Sequence, residues 1–234
     1  MEISRRDALM GIGASAALLS VGTRAAAPNP AWYDRAIVID GLGGLSDPYS
    51  PPRQLRISDR AWTEMRQTGV TAVNQTLLPV GNQPDAWEAM LKEIDDYDAF
   101  LSANPERTLL VKTAADLHKA KAAGKIGIIY GTQDTAMVGA TLDRLAELKK
   151  RGVRIVQLTY NLRNLSGDGS LEPANAGLSR LGHATIARIE AEKLLLDLSH
   201  GGARTIDEAI AASRRPAKIS HTGARAVHDH PRNV

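Results

Sequence analysis

The sequence contains no cysteine among its 234 residues. This absence excludes disulfide bonds, zinc fingers and thiol nucleophiles, so any metal ion must be held by His, Asp or Glu side chains. A strong charge of one sign is lacking too, because Lys and Arg are spread along the chain and the formal net charge is only +3. Without a basic stripe we expect no nucleic-acid partner. A small-molecule partner is expected instead.

Long hydrophobic runs are also lacking. The uncharged stretch Met10–Thr23 offers an apolar core of about a dozen residues, whereas a membrane span needs roughly 20, so no stable span is predicted. The pair Arg5-Arg6 precedes this stretch, and Ala25-Ala26-Ala27 supplies a small-residue cleavage site. The pattern predicts a twin-arginine signal peptide over residues 1–27 and a periplasmic or secreted protein. A non-cleaved N-terminal anchor is the alternative.

Residues 28–234 are predicted to form one α/β domain. From Ala36 onward, short β-branched runs alternate with segments of helical period, which is typical of βα units around a parallel sheet. The predicted strands are Ala36–Asp40, Thr71–Thr76, Thr108–Lys112, Ile126–Tyr130, Arg154–Leu158, Leu194–Leu198 and Ala217–Ser220. The predicted helices are Ser58–Thr68, Pro84–Ala103, Ala114–Ala122, Thr141–Arg151, Leu181–Glu192 and Ile206–Ser213.

Seven strands are one fewer than a closed (β/α)8-type TIM-like barrel contains. We therefore expect either a barrel that closes with fewer strands or a domain whose eighth βα unit is missing from this chain. In both cases the fold class is an α/β barrel.

Two of the predicted strands are each followed by Ser-His, namely Ser199-His200 and Ser220-His221. The active site of a parallel barrel lies at the carboxyl ends of its strands. Two imidazoles on neighbouring strands can converge on one ion, because such strands lie ~4.8 Å apart and Zn–N bonds are ~2 Å long. The sequence therefore predicts a metal site at His200 and His221. The alternative is that each histidine caps the next helix or forms a hydrogen bond within its loop.

The remaining motifs are interpreted as structural. His118 and His183 fall on predicted helices and are expected to face solvent, and the pair in His228-Asp229-His230 is expected in a surface loop. The glycines of Gly41-Leu42-Gly43-Gly44 lack the spacing of a phosphate-binding loop and predict a turn with positive φ angles. No Gly-x-Ser-x-Gly motif is present, so serine hydrolase chemistry is not predicted.

Several of these motifs together resemble the membrane (renal) dipeptidase family of zinc peptidases. The similar segments are Leu196-Asp197-Leu198-Ser199-His200, Ser220-His221 with Ala224-Arg225-Ala226, and Asp229-His230-Pro231-Arg232-Asn233-Val234. Asn161 to Gly169, with Gly177-Leu178-Ser179, is similar to a bacterial branch of that family. The resemblance extends from Ile37 almost to the end of the chain. It implies a barrel with two zinc ions, a bridging carboxylate, and a bridging water that attacks the peptide bond of a dipeptide.

The resemblance also implies roles for individual residues. His200 and His221 would hold the second zinc ion. Arg232 would meet the substrate carboxylate, for which a guanidinium offers a bidentate fork. Tyr160 stands where the family has a histidine that contacts the substrate and its tetrahedral intermediate. Gln133 stands at the catalytic position of the bridging glutamate.

The chain departs from the family at the first zinc site. The positions of its two ligands are Leu42 and Gly44, neither of which can bind a metal, and Gln133 offers only a neutral amide. The adjacent Asp134 is expected to point elsewhere, and the family's catalytic aspartate belongs to the eighth strand. We therefore expect one zinc site, a doubtful second site, and slow cleavage of dipeptides or similar small amides.

Two other interpretations stay open at this point. The chain is either a catalytically inactive barrel homologue that acts as a binding or scaffold protein, or an incomplete reading frame. The expected partner is a dipeptide-like small molecule, and a homodimer is left open.

Overall fold

A computed structural model describes residues 30–45, 47–51 and 54–234. The predicted signal peptide, residues 1–27, lies outside these described residues. Within them, no helix is both long enough and apolar enough to cross a membrane.

Six parallel strands form one sheet, and a helix connects each strand to the next. The strands are β1 (Ile39–Gly43), β2 (Ala72–Leu77), β3 (Thr108–Leu110), β4 (Ile126–Thr132), β5 (Val153–Gln157) and β6 (Leu195–Asp197). The helices are α1 (Asp59–Gln67), α2 (Ala86–Ala103), α3 (Ala114–Ala122), α4 (Arg144–Lys150), α5 (Arg180–Ala191) and α6 (Ala203–Ala212). This curled half-barrel of alternating strands and helices confirms the predicted barrel class.

The strand order is β1-β2-β4-β5-β6, so β4 lies at the centre of the sheet. One edge of β4 pairs with β2. The other edge is shared, because β3 pairs with residues 126–128 and β5 with residues 130–132. All seven residues of β4 are buried. A strand buried on both faces is expected where helices cover the sheet, and here Leu145 and Leu148 of α4 belong to the same core.

The prediction of a seventh strand over Ala217–Ser220 is wrong. The segment forms a single bridge, in which Lys218 pairs with Asp197 of β6. Two backbone hydrogen bonds of Lys218, of 2.8 and 2.9 Å, make this bridge. The pairing stops there because the next available N–H, that of Ser220, donates to Oδ1 of Asp197 at 3.2 Å instead of to a backbone carbonyl. A side chain therefore replaces the ladder at the point where a strand would continue.

The first strand begins three residues later than predicted and includes two glycines assigned to a turn. Neither Gly41 nor Gly43 is among the described glycines with positive φ, so the turn prediction is wrong. Space explains Gly41, because a Cβ there would lie 2.7 Å from the carbonyl oxygen of Ser220. The Nζ of Lys218 also donates to the carbonyl oxygen of Gly41 at 3.4 Å. The end of β1 thus lies directly against the segment that leads to His221.

Candidate metal site

Two imidazoles meet just beyond the end of β6 and the end of residues Ala217–Ser220, which are called the Lys218 segment below. The Nε2 atoms of His200 and His221 lie 2.8 Å apart, and the ring centroids are separated by 4.8 Å at an interplanar angle of 62°. Two nitrogens bound to one zinc ion lie roughly 3.3 Å apart when both Zn–N bonds are about 2 Å. The observed separation therefore fits a single shared ion after a small opening of the pair.

Each ring is held through its other nitrogen. The Nδ1 of His200 lies 2.7 Å from Oδ1 of Asn161, and because an amide oxygen only accepts, the ring donates from Nδ1 and presents an unprotonated Nε2. The Nδ1 of His221 lies 2.8 Å from the hydroxyl of Ser220, which can donate or accept. Either tautomer of His221 is thus satisfied. Metal-binding histidines are oriented in the same way, by a hydrogen bond to the second ring nitrogen.

Burial keeps both imidazoles neutral. Desolvation, followed by the charges of Arg232 and His221, lowers the pKa of His200 to about 3. Desolvation, followed by the charge of Arg232, also lowers the pKa of His221. Only a neutral imidazole can bind a metal ion through its ring nitrogen, so both histidines have the required protonation state at neutral pH.

Tyr160 and Arg232 lie on two sides of the histidine pair. The ring of Tyr160 stacks on that of His200, with centroids 4.2 Å apart and an angle of 24°. The Nη2 of Arg232 donates to the carbonyl oxygen of His221 at 3.0 Å. Among the described residues this is the one hydrogen bond of the guanidinium, which has five N–H donors. Arg232 therefore retains donors for a carboxylate beside the histidines.

Gln133 is the remaining predicted site residue that reaches the pair. It follows β4, and its Nε2 lies 3.3 Å from Nε2 of His221. The neighbouring Asp134 turns away, as predicted, because its Oδ1 accepts the N–H of Thr135 at 2.7 Å and its Oδ2 that of Gly81 at 2.8 Å. The structure thus brings together Gln133, Tyr160, His200, His221 and Arg232, while their roles stay predictions.

The residues present do not fit a two-metal centre. In the ranges 30–45, 47–51 and 54–234, no three His, Cys, Asp or Glu side chains are grouped so that they could hold one ion. Leu42 lies on β1 and Gly44 just beyond it, and neither has a ligand atom in its side chain. The two imidazoles are candidate ligands for one ion, which would need solvent or substrate to complete four ligands.

Among the described residues no other histidine joins the imidazole pair, although the backbone N–H of Arg232 donates to Nδ1 of His230 at 3.1 Å. His118 on α3 and His183 on α5 are exposed, as are His228 and His230 in the C-terminal loop. Sequence analysis missed Asn161, which orients His200. Its position a few residues beyond β5, at the same end of the sheet, was the available signal.

The Asn161 contact predicts the effect of a substitution. In Asn161→Leu, the ring of His200 loses the acceptor that holds its Nδ1, so we expect zinc affinity to fall by about 10- to 100-fold. Asn161→Asp keeps an oxygen at the same place and should retain most of the affinity. Competition with a colorimetric chelator measures both variants. A leucine variant with the affinity of the wild type would show that the contact is unimportant.

Comparison with known proteins gives one family. A family model described as membrane dipeptidase (peptidase family M19) matches residues 53–234. The chain is 27% identical to Dipeptidase verJ of Clonostachys rogersoniana over 156 residues, which cover 66% of this chain and 40% of that protein. It is 28% identical to Dipeptidase aclJ of Aspergillus oryzae over 147 residues, which cover 61% and 35%. The chain thus spans less than half the length of these relatives.

Solved structures agree on the fold. An amidohydrolase from Pseudomonas aeruginosa is similar with a TM-score of 0.75 and 31% identity, covering 86% of this chain and 57% of that one. A metallo peptidase from Rhodobacter sphaeroides, liganded with a phosphinate mimic of the dipeptide L-Ala-D-Ala, has a TM-score of 0.70 and 20% identity. That match covers 85% of this chain and 68% of the other, and at this identity it shows the fold alone.

Proposed function

Because this chain belongs to the membrane dipeptidase family, we propose that it is a dipeptidase-like metallohydrolase with one zinc ion at His200 and His221. The proposed substrates are dipeptides or similar small amides. The main support is the convergence of two neutral imidazoles, with Nε2 atoms 2.8 Å apart, at the carboxyl end of the sheet. Catalytic sites of α/β barrels lie at this end.

The residues around the pair have separate tasks in this proposal. His200 and His221 would hold the ion, which when bound would act as a Lewis acid and lower the pKa of a bound water molecule. Arg232 binds the carboxylate of the substrate through its free N–H donors and orients the scissile amide toward the histidines. Tyr160, stacked on His200, forms the wall against which the substrate lies.

We propose that turnover is slow. Gln133 is a neutral amide at the position where a carboxylate would bridge metals or accept a proton, and Asp134 is engaged by backbone N–H groups. General acid–base catalysis contributes typically 10²- to 10⁴-fold, so its loss would leave a weak enzyme. The same observation favours a second candidate, a homologue that binds small peptides without cleaving them.

Metal analysis and hydrolysis assays distinguish the two candidates. The 234-residue chain is purified, its zinc content is measured, and release of amino acids from a simple dipeptide is followed before and after chelation. About one equivalent of zinc with slow, chelator-sensitive hydrolysis supports the enzyme. Zinc without hydrolysis, but with dipeptide binding in calorimetry, supports the binding protein. A chain that binds no zinc would refute the metal site.

Restoring a carboxylate should strengthen the site. In Gln133→Glu, a carboxylate replaces the amide whose nitrogen now lies 3.3 Å from Nε2 of His221, so the ion gains a third protein ligand. We expect zinc affinity to rise by at least about tenfold. Loss of a residue that only supports a metal ligand typically lowers metal affinity by about tenfold or more, and an added ligand should have at least the opposite effect. Gln133→Leu is the matched control and should not bind zinc more tightly than the wild type. An unchanged affinity in Gln133→Glu would place the ion elsewhere.

Export by the twin-arginine route is proposed from the sequence alone. Arg5-Arg6 precedes a short apolar stretch, as in signal peptides of this class. Substituting both arginines with lysine should retain the protein in the cytoplasm, whereas the wild type should reach the periplasm. Fractionation of expressing cells measures the difference, and equal export of both forms would contradict the route.

A further inference from the structure

We infer that Asp197 is a positioning residue that fixes the loops of His200 and His221 against each other, with Lys218 as its counter-charge. This inference concerns the same site as the proposed function and rests on its metal-binding pair. Asp197 is the last residue of β6, and its side chain is 2% exposed.

One oxygen atom of Asp197 joins both histidine loops. Its Oδ1 accepts the backbone N–H of Ser199 at 3.0 Å and that of Ser220 at 3.2 Å. These serines immediately precede His200 and His221. Because the two N–H groups share one acceptor, a shift of either loop changes the position of the other. The carboxylate thus sets the relative position of the two imidazoles.

The serine side chains extend this connection to the rings. The hydroxyl oxygens of Ser199 and Ser220 lie 3.0 Å apart, and the hydroxyl of Ser199 accepts the backbone N–H of His221 at 3.1 Å. The hydroxyl of Ser220 contacts Nδ1 of His221 at 2.8 Å. The two serines therefore connect the buried carboxylate, which holds their backbone N–H groups, to the imidazole of His221, which the hydroxyl of Ser220 contacts.

The backbone of His200 shows that its loop must be held in place. His200 has a φ of 63°, a left-handed conformation that non-glycine residues adopt only where their surroundings impose it. The N–H of Ser170 donates to the carbonyl oxygen of His200 at 2.7 Å on one side. The bond from Ser199 to Asp197 fixes the residue just before it on the other side.

Lys218 offsets the energetic cost of burying the Asp197 carboxylate. Its Nζ lies 3.6 Å from Oδ2 of Asp197, and the lysine side chain is 23% exposed. A buried charge without a partner is strongly destabilising, so each member of this pair needs the other. The same Nζ contacts the carbonyl oxygen of Gly41, which connects the pair to β1.

Three variants test the inference. Asp197→Ala removes the shared acceptor, and we expect zinc affinity to fall by about 10- to 100-fold. Asp197→Asn keeps an acceptor oxygen but leaves Lys218 without a counter-charge, so its zinc affinity should fall less than that of Asp197→Ala. Asp197→Asn with Lys218→Met removes both charges and should recover affinity relative to Asp197→Asn. Zinc affinity, the apo-protein Tm and amide hydrogen exchange of Ser199 and Ser220 are measured for each.

Glu190→Ala is the matched control. The Oε1 of Glu190 accepts the backbone N–H groups of Arg214 and Arg215, at 2.7 and 3.0 Å, before rather than after the Lys218 segment. It is thus a carboxylate that joins two backbone groups away from the histidines. We expect Glu190→Ala to lower the Tm without changing zinc affinity.

The outcomes separate this inference from the proposed function. Three results together support the positioning role: faster amide exchange at Ser199 and Ser220, loss of zinc affinity in Asp197→Ala, and a higher zinc affinity in the double variant than in Asp197→Asn. The positioning role is overturned if Asp197→Ala folds and binds zinc as tightly as the wild type. It is also overturned if Glu190→Ala, which should only lower the Tm, loses zinc affinity in parallel with its stability. If the wild type binds no zinc, the proposed function fails, and unchanged amide exchange in the Asp197 variants would then also refute the positioning role. If Asp197→Ala does not fold, the comparison of Asp197→Asn with the double variant decides.

Discussion

His221→Ala is expected to abolish zinc binding by this chain under conditions in which the wild type binds about one equivalent. Among the described residues no third His, Asp or Glu side chain joins His200 and His221, so the variant would keep a single imidazole at the site. A single imidazole cannot hold zinc against water in the way that a multidentate protein site does. Zinc affinity should fall by more than about a hundredfold, which is the largest loss typical of residues that only support a metal ligand. Competition with a chelator measures the affinity.

The control for this prediction is His228→Ala. His228 is exposed in the C-terminal loop, and its ring stacks on that of His230, with centroids 6.0 Å apart. Its removal should leave zinc affinity unchanged. If His228→Ala and His221→Ala lose zinc equally, the ion is held by surface histidines and the assignment of the site is wrong.

Gly169→Ala is expected to destabilise the fold by about 3 kcal/mol and to disturb the site at the same time. A Cβ on Gly169 would lie 1.9 Å from the carbonyl oxygen of Tyr160 and 2.4 Å from the carbonyl carbon of Asn161. Backbone atoms cannot move aside as a flexible side chain can. The displaced segment contains the ring that stacks on His200 and the amide that orients it.

Urea unfolding of the two glycine variants measures this effect. Gly81→Ala is the control, because a Cβ there would have no heavy atom within 4 Å, although the φ of 78° is unfavourable for alanine. The control should lose only about 1 kcal/mol from this backbone conformation. Gly169→Ala should also bind zinc more weakly, whereas Gly81→Ala should not. Equal stability of the two variants would mean that the segment at Tyr160 is free to shift.

Elements with local signals were predictable from the residues of the element alone. The helix α3 has the predicted bounds, Ala114–Ala122, and the structure shows a local start signal there, a capping box formed by Thr113 and Asp116. Gly152 directly follows the predicted helix Thr141–Arg151 and has the positive φ of 108° that favours glycine. The positions of His200 and His221 after two apolar runs likewise sufficed to place both side chains at one end of the sheet.

The way in which the strand ends meet depends on contacts between residues that are distant in sequence. The need for glycine at position 41 of β1 depends on Ser220, whose carbonyl oxygen leaves no room for a side chain there. The Lys218 segment is not a strand because an aspartate side chain takes the N–H that a ladder would use. The orientation of His200 depends on Asn161, which is 39 residues away along the chain. Hydrophobic periodicity reports contacts within one element, whereas these interactions join residues that only the folded sheet brings within hydrogen-bonding distance.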